Sequence, residues 1–162
     1  MNSIWNEADL IVERYQELKS QLLEILTDNE LDFNLGGESQ TMGSLCLEIG
    51  EIEQVYINSF KTFERDFSYR DTEPGLEKSV TKLSLWFERL DNELKEAVNK
   101  LSEDEIESRT IECMGDFFKG QLTIRRNMDL YRESLLIFYG KASVYLKALG
   151  KPLPHKWQDW IG

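Results

Sequence analysis

Residues 76–101 read LEKSVTKLSLWFERLDNELKEAVNKL. Apolar side chains recur in this stretch in steps of three and four, which is the spacing of one helix face. The members of the stripe are Leu76, Val80, Leu83, Phe87, Leu90, Leu94, Val98 and Leu101. A nearly heptad repeat of this length is typical of a bundle helix, so the stretch predicts a helix that packs against other helices.

Three further segments show the same helical rhythm, at about residues 4–27, 40–63 and 123–149. Proline occurs only at Pro74, Pro152 and Pro154, which leaves two long stretches free for helices. Thr72 and Pro74 favour a start for the third helix, and Ser102 with Glu105 has the spacing of a capping box. These signals predict one all-α domain over residues 1–162, an up-down four-helix bundle.

Two parts of the chain depart from the helical pattern. Residues 107–120 are irregular and contain Gly115 and Gly120, so a small hairpin between the third and fourth long helices is compatible with them. A tail at about residues 151–162 carries Trp157 and Trp160. Two tryptophans in so short a segment predict that the tail packs on the bundle or enters an oligomer contact.

The composition excludes several classes of partner. The chain has 162 residues with 30 Asp+Glu against 19 Lys+Arg, a formal net charge of -11. The densest basic spot is the pair Arg125–Arg126, which is too little for a nucleic-acid or anionic membrane surface. We expect a cytoplasmic protein with no nucleic-acid or membrane partner. Its two cysteines, Cys46 and Cys113, have no metal-like spacing and are expected to be reduced and buried.

Candidate catalytic residues are few. The only histidine is His155, so neither an HExxH zinc motif nor paired ExxH motifs can occur. Glu48 lies beside the apolar seam of the second helix, where a carboxylate needs a partner or a function. Three arginines on the fourth helix are the predicted partners of Glu48: Arg125, Arg126 and Arg132.

Two stretches resemble one helical family. Residues 41–53, TMGSLCLEIGEIE, are similar to the start of the second helix in the DinB-like (YfiT-like) four-helix-bundle superfamily. Residues 139–154, YGKASVYLKALGKPLP, resemble that family's ending, in which an arginine-glycine-glutamine run leads to a tyrosine-leucine pair, a glycine and a proline. The layout is similar along nearly the whole chain, whereas residue matches are confined to the second helix and the C-terminal third.

The resemblance also implies where a metal would bind. The family's characteristic site holds one divalent metal, often zinc or nickel, with one histidine from the second helix and two from the fourth. Aligned on Gly43 and Gly140, the equivalent positions here are Glu48, Ser134 and Phe138. Phenylalanine has no donor atom, and serine is a poor ligand for zinc or nickel. The resemblance therefore implies a degenerate metal site, and no cofactor is expected.

Three functions stay open. The first is a non-catalytic module that binds a small molecule in the bundle cleft, in a pocket of Glu48, Tyr131, Ser134 and Phe138, or that binds a protein. The second is a divalent-metal-dependent enzyme of the thiol transferase or hydrolase class, with a site rebuilt from carboxylates. There Glu48 would be the base or a ligand, helped by Glu51, Glu133 or His155. The third is a structural protein that forms a homodimer through its helices and tail. The sequence favours the first and third over an enzyme, because only Glu48 is a plausible acid-base group.

Overall fold

Four long helices form the frame of the molecule. The computed structural model describes residues 2–114 and 120–159, and for residues 5–11 the backbone alone. The long helices are α1 (Ser3–Ile25), α2 (Met42–Thr62), α3 (Val80–Asn99) and α5 (Ile124–Ala148). Two short helices follow α3 and α5, namely α4 (Glu103–Ser108) and α6 (His155–Gln158). The predicted all-α bundle is confirmed. None of the helices in the described ranges combines the length and the apolar character needed to span a membrane.

α2 and α5 run antiparallel to each other. Glu48, in the first half of α2, pairs with Lys141, in the second half of α5. Near the other end of the pair, the Asn127 side chain donates a hydrogen bond to the Ser59 hydroxyl at 2.9 Å. This direction decides which residues of the two helices face one another.

α2 and α3 run in the same direction. The Trp86 ring lies over Gly50, and further along both helices Glu93 pairs with Lys61 at 3.2 Å. The connector, residues 63–79, carries the chain back to the starting end of α2 before α3 begins. A long crossover of this kind is what allows consecutive helices of a bundle to be parallel.

α1 runs parallel to α5, which completes the helix order. The Tyr139 hydroxyl donates a hydrogen bond to the Tyr15 carbonyl, and Lys151 donates to the carbonyl of Ile25 at the end of α1. The four long helices therefore run up, down, down and up. The simple alternation of an up-down bundle is not kept, because the 63–79 connector is long enough to return along α2.

A small sheet closes one end of the bundle. Its strands are β1 (Glu64–Asp66), β2 (Thr110–Met114) and β3 (Gly120–Thr123), in the order β1-β2-β3. β1 is parallel to β2, and β2 is antiparallel to β3. The segment expected to be irregular thus contributes two paired strands, while residues 115–119 between them, including Gly115, lie outside the described residues.

Hydroxyl side chains set most helix starts. The N-cap residues of α2, α3 and α5 are Thr41, Ser79 and Thr123, and each accepts a hydrogen bond from a backbone amide of the first turn. The predicted capping box of Ser102 and Glu105 is confirmed at α4. The predicted start of the third helix at Thr72 and Pro74 is wrong. The helix begins at Val80, because Ser79 caps it after a separate 3-10 turn.

The C-terminal segment lies against α1 and α5. Trp157, in α6, is fully buried, and its indole N–H donates to the Leu18 carbonyl at 3.2 Å. Its ring meets the Tyr139 ring edge to face, with centroids 5.1 Å apart. A buried tryptophan with its N–H paired gives a short helix a strong anchor. Trp160 lies outside the described residues.

Both cysteines are buried and unpaired with each other, as the sequence predicts. Cys46 lies in the core of α2, where burial raises the pKa of its thiol to about 12. A thiol in such surroundings is inert at neutral pH, because the thiolate is the nucleophile and the metal ligand.

Gly50 marks a close contact between α2 and α3. A Cβ atom at this position would meet the Trp86 ring at 2.1 Å. The Trp86 ring is itself stacked on Phe87, with centroids 5.7 Å apart. The ring therefore has little freedom to move away, and glycine is required for α2 to approach α3.

We expect Gly50→Ala to lower the free energy of unfolding by about 1–3 kcal/mol, because the added methyl overpacks the Trp86 contact. Gly140→Ala in α5 is the matched control. A Cβ there meets nothing within 4 Å, so the variant should gain up to about 1 kcal/mol from helix propensity. Urea denaturation at low protein concentration measures both. Equal stability of the two variants would contradict the packing argument.

Candidate functional site

α2 and α5 leave a shallow cleft between them. Its volume is about 100 Å³. Glu48, Ser134 and Phe138, the three positions equivalent to the family's metal ligands, all line it. They meet because the two helices are antiparallel, which places residue 48 level with residues 134–141. The remaining wall consists of Leu45, Ile49, Ile52, Ile137 and Lys141.

Glu48 stands at the rim of this cleft and has two partners. The Gln40 side-chain amide donates to Oε2 at 2.7 Å, and Lys141 Nζ lies 3.6 Å from Oε1. Gln40 is itself fixed, because the Tyr145 hydroxyl donates to its backbone carbonyl at 2.7 Å. The Glu48 side chain is 42% exposed, so it belongs to a solvated ion pair and is not a buried carboxylate.

The arginines predicted as partners of Glu48 lie elsewhere. They pair with other carboxylates: Arg125 with Glu107, Arg126 with Glu133, and Arg132 with Asp129, at 3.0–3.1 Å. That prediction is wrong for a geometric reason. The first half of α5 lies level with the end of α2, whereas Glu48 is in the first half of α2.

The cleft offers poor chemistry for a zinc or nickel ion. The Ser134 hydroxyl donates to the Leu130 carbonyl at 2.9 Å, and Phe138 is a buried ring packed on Tyr139. Glu48 alone supplies a metal-binding oxygen, while zinc sites in proteins use three or four nitrogen, sulfur or oxygen ligands. Within residues 2–114 and 120–159, no group of three or more His, Cys, Asp or Glu side chains is placed to hold a metal ion.

The other residues considered for catalysis do not join the cleft. Glu51 accepts a hydrogen bond from the backbone N–H of Asp71 at 3.0 Å and lies 3.7 Å from Arg70. Glu133 pairs with Arg126 on the outer face of α5, and His155 is exposed at the start of α6. None of the three lines the wall around Glu48.

Tyr131, which was expected to line the same pocket, lies behind it in the core. Its side chain is fully buried, and its ring is tilted against Tyr56 with centroids 5.5 Å apart. The hydroxyl lies beside Glu53 without forming a well-aligned hydrogen bond. Tyr131 therefore belongs to a second polar site, at the centre of the bundle.

The second site is a buried ion cluster that connects three helices. Lys19 of α1 and Glu53 of α2 are both fully buried and paired with each other. The same ammonium lies 2.7 Å from Asp91 Oδ1 of α3, which is 23% exposed. The Phe87 ring covers it from the side, with its centroid 4.9 Å from Nζ. The protein's own cation thus occupies the space between the two carboxylates.

The pKa values of four titratable side chains are shifted in and around the cluster: Lys19, Glu53, Tyr131 and Tyr139. Burial raises the pKa of Glu53 to about 8; the Lys19 ammonium opposes this shift, and the Asp91 charge adds to it. Burial alone would lower the pKa of Lys19, but the Glu53 and Asp91 carboxylates outweigh it and the pKa is raised. Burial, and then these carboxylates, raise the pKa values of Tyr131 and Tyr139 well above 10. Lys19 is therefore charged, and Glu53 holds its proton more tightly than an exposed carboxyl group does.

This cluster was not predicted from the sequence, although the sequence contains a signal for it. Each member lies at helical spacing from buried apolar residues of its own helix, as a core position does. The flanking residues are Tyr15 and Leu22 for Lys19, Ile49 and Phe60 for Glu53, and Phe87 and Leu94 for Asp91. Three charges of mixed sign on three apolar stripes predict a buried ion network.

A further polar group ties the sheet to the bundle. Arg65 of β1 is 1% exposed, and its guanidinium donates to the Asn127 side chain and to Cys113 Sγ, both at 3.2 Å. The guanidinium also lies near the rings of Tyr56 and Phe67, 5.7 and 5.4 Å from their centroids. This group is closed to solvent and serves to hold β1 and β2 against α5.

We expect Lys19→Met to lower the free energy of unfolding by about 3 kcal/mol, because it removes the ammonium to which both Glu53 and Asp91 are bound. Lys78→Met is the matched control. Lys78 pairs with Asp32 at 3.1 Å, but both side chains are more than 60% exposed, so little change is expected. Urea denaturation followed by circular dichroism measures both. A loss of the same size in the two variants would overturn the role given to burial.

Glu53 should make stability depend on pH. The folded state holds its proton more tightly than the unfolded chain, whose pKa is near 4.5. The contribution to the free energy of unfolding is fully present below pH 4.5 and is lost as the pH rises through about 8. The slope is at most about 1.4 kcal/mol per pH unit.

Glu53→Gln has no such proton to lose, so its curve should be flatter than the wild-type curve over this range. Denaturation of both proteins in urea at several pH values between 5 and 8 provides the comparison. Parallel curves would show that another group causes the pH dependence.

Comparisons with known proteins are consistent with this architecture. No protein-family model and no curated protein matches the chain. Among solved structures, the crystal structure of a DinB-like protein, YjoA from Bacillus subtilis, matches with a TM-score of 0.67. The match covers 86% of this chain and 90% of that chain at 17% sequence identity, a level that shows the fold alone. The resemblance read from the sequence is thereby confirmed for the fold: the chain has the DinB-like four-helix bundle.

Proposed function

We propose that this protein is a non-catalytic protein-interaction module on the DinB-like fold, and that its cleft holds no metal. The observation that carries the proposal is the state of the cleft between α2 and α5. It measures about 100 Å³, Phe138 fills its inner wall, and the carboxylate at its rim is paired with Lys141.

The size of the cleft argues against a small-molecule site. Pockets for drug-sized ligands and cofactors measure about 300–1,000 Å³ and enclose most of the ligand. Two wider hollows, of about 680 and 360 Å³, lie on the outer side of α3 and between α1 and α6. Both are open hollows whose walls carry exposed charged side chains, such as Glu96, Lys100, Glu17 and Lys156.

The donor set argues against a rebuilt metal centre. One carboxylate, with an ammonium 3.6 Å away, cannot compete for a divalent ion as a three-ligand site does. The carboxylates that do face inward, Glu53 and Asp91, already enclose Lys19. A catalytic metal would need ligands that neither site provides.

The surface beside the cleft supports a protein partner. Leu136, Ile137 and Val144 on α5 are 42%, 61% and 51% exposed. Ile137 also lines the cleft, so these exposed apolar side chains border it. Apolar side chains grouped in this way on one helix face are a mark of protein contacts.

Metal binding is the decisive experiment. The full chain, untagged and purified without chelator, is offered zinc, nickel and manganese, and its metal content is measured after dialysis. We expect far less than one ion per chain. About one tightly held ion per wild-type chain, lost in Glu48→Ala, would overturn the proposal and favour a rebuilt carboxylate enzyme.

A matched variant shows whether the fold itself could hold a metal. Glu48→His, Ser134→His and Phe138→His together place three imidazoles in the cleft, and a zinc ion bound by this triple variant would show that the backbone geometry is competent. The wild-type chain would then lack metal because of its side chains alone. Circular dichroism checks that the triple variant is folded, since Phe138 is part of the core.

A further inference from the structure

The outer face of α5 is centred on Gly140. With about 100° of rotation per residue, seven exposed positions of α5 fall within about 60° of the direction in which Gly140 faces. They are Arg126, Glu133, Leu136, Ile137, Gly140, Val144 and Lys147. A helix face turned to solvent is normally polar, whereas the middle of this one is apolar.

Nothing among the described residues explains the glycine at position 140. Glycine in a helix interior is destabilising relative to alanine. A Cβ at Gly140 would meet no atom within 4 Å, in contrast to Gly50, where the Trp86 ring requires glycine. A missing side chain on an open helix face becomes useful when another backbone approaches it from outside.

The face is complementary to itself. Glu133 precedes Gly140 by seven residues, and Lys147 follows it by seven; Leu136 and Val144 precede and follow it by four. An antiparallel copy of α5 that crosses at Gly140 would therefore bring Glu133 opposite the partner's Lys147, and Leu136 opposite the partner's Val144. A two-fold axis repeats both contacts, as an isologous interface requires. A parallel copy would place like charges together.

Charge favours this face over the rest of the surface. The chain carries a net charge of -11, so two copies repel each other at most approaches. The exposed positions of this face carry one acidic side chain, Glu133, against the basic Arg126 and Lys147. Glu133 is also paired with Arg126 of its own helix at 3.0 Å, so this face does not share the acidic excess of the whole chain.

We propose that the α5 face centred on Gly140 binds a second copy of this chain, with the two α5 helices antiparallel and crossing at Gly140. The inference rests on the proposed function, because it names the partner of the apolar surface on α5. Ile137 belongs both to this face and to the cleft wall, so the partner subunit would border the cleft.

Charge reversal tests the pairing. Sedimentation velocity on the full, untagged chain at about 1–100 µM should show a mass that rises toward twice 19.0 kDa. Glu133→Lys and Lys147→Glu, each alone, place like charges opposite each other and should raise the dissociation constant at least about tenfold. The double variant restores opposite charges across the axis and should return to within about threefold of wild type.

A steric variant gives an independent readout. Gly140→Trp meets no atom of its own chain near the Cβ, so the monomer should fold normally by circular dichroism. At the crossing point the indole separates the two helices, and the dimer should dissociate. Gly140→Ala adds a single methyl group and serves as the mild control.

Three results would overturn the inference. They are a wild-type monomer at about 100 µM, a dimer unaffected by the single reversals and Gly140→Trp, and a double variant that stays as weak as the single ones. A monomer without bound metal leaves the non-catalytic proposal standing and assigns the face to a different protein. A metal ion bound by the wild-type chain overturns the proposed function whatever the oligomeric state is.

Discussion

One buried ammonium group constrains the arrangement of the four long helices. Lys19 of α1 cannot stay charged in the core without polar partners, so Glu53 of α2 and Asp91 of α3 must both reach it. Tyr131 of α5 lies beside Glu53 on the remaining side. A slip of any helix by one residue would separate the ammonium from these partners, which is costly in a medium of low polarity. The cluster thus fixes the axial register of the helices relative to one another.

The cleft is a consequence of the same register. Once α2 and α5 are held antiparallel, Glu48 lies level with Ser134, Phe138 and Lys141. The side chains at these positions decide the chemistry. Here the Glu48 carboxylate is paired with the Lys141 ammonium, and the Phe138 ring lies beside them, so the surface is closed and neutral. Three histidines at the family's positions would form a metal site instead. The fold alone therefore does not supply an activity.

The sequence could predict the helices and the proximity of Glu48, Ser134 and Phe138, because apolar spacing and the alignment with the family can both be read from the order of residues along the chain. Two features depend on the three-dimensional path of the chain and could not be predicted from the order of its residues. The direction of α3 follows from the return of the 63–79 connector along α2. The partner of Glu48 follows from the antiparallel pairing that brings Lys141, and not Arg132, beside it. Tyr131 was misplaced because a stripe shows that a residue is buried but not which neighbour it meets.

The parallel pairing of α1 with α5 has a consequence for folding during synthesis. The contacts that join these helices, from Ser3 with Arg125 to Ile25 with Lys151, link residues 122 to 126 positions apart. At about 5–20 residues per second, the ribosome needs on the order of ten seconds to deliver the second partner. Until then the side of α1 that α5 covers is open to solvent and to other nascent chains. The bundle can close only when α5, its last long helix, has emerged from the ribosome.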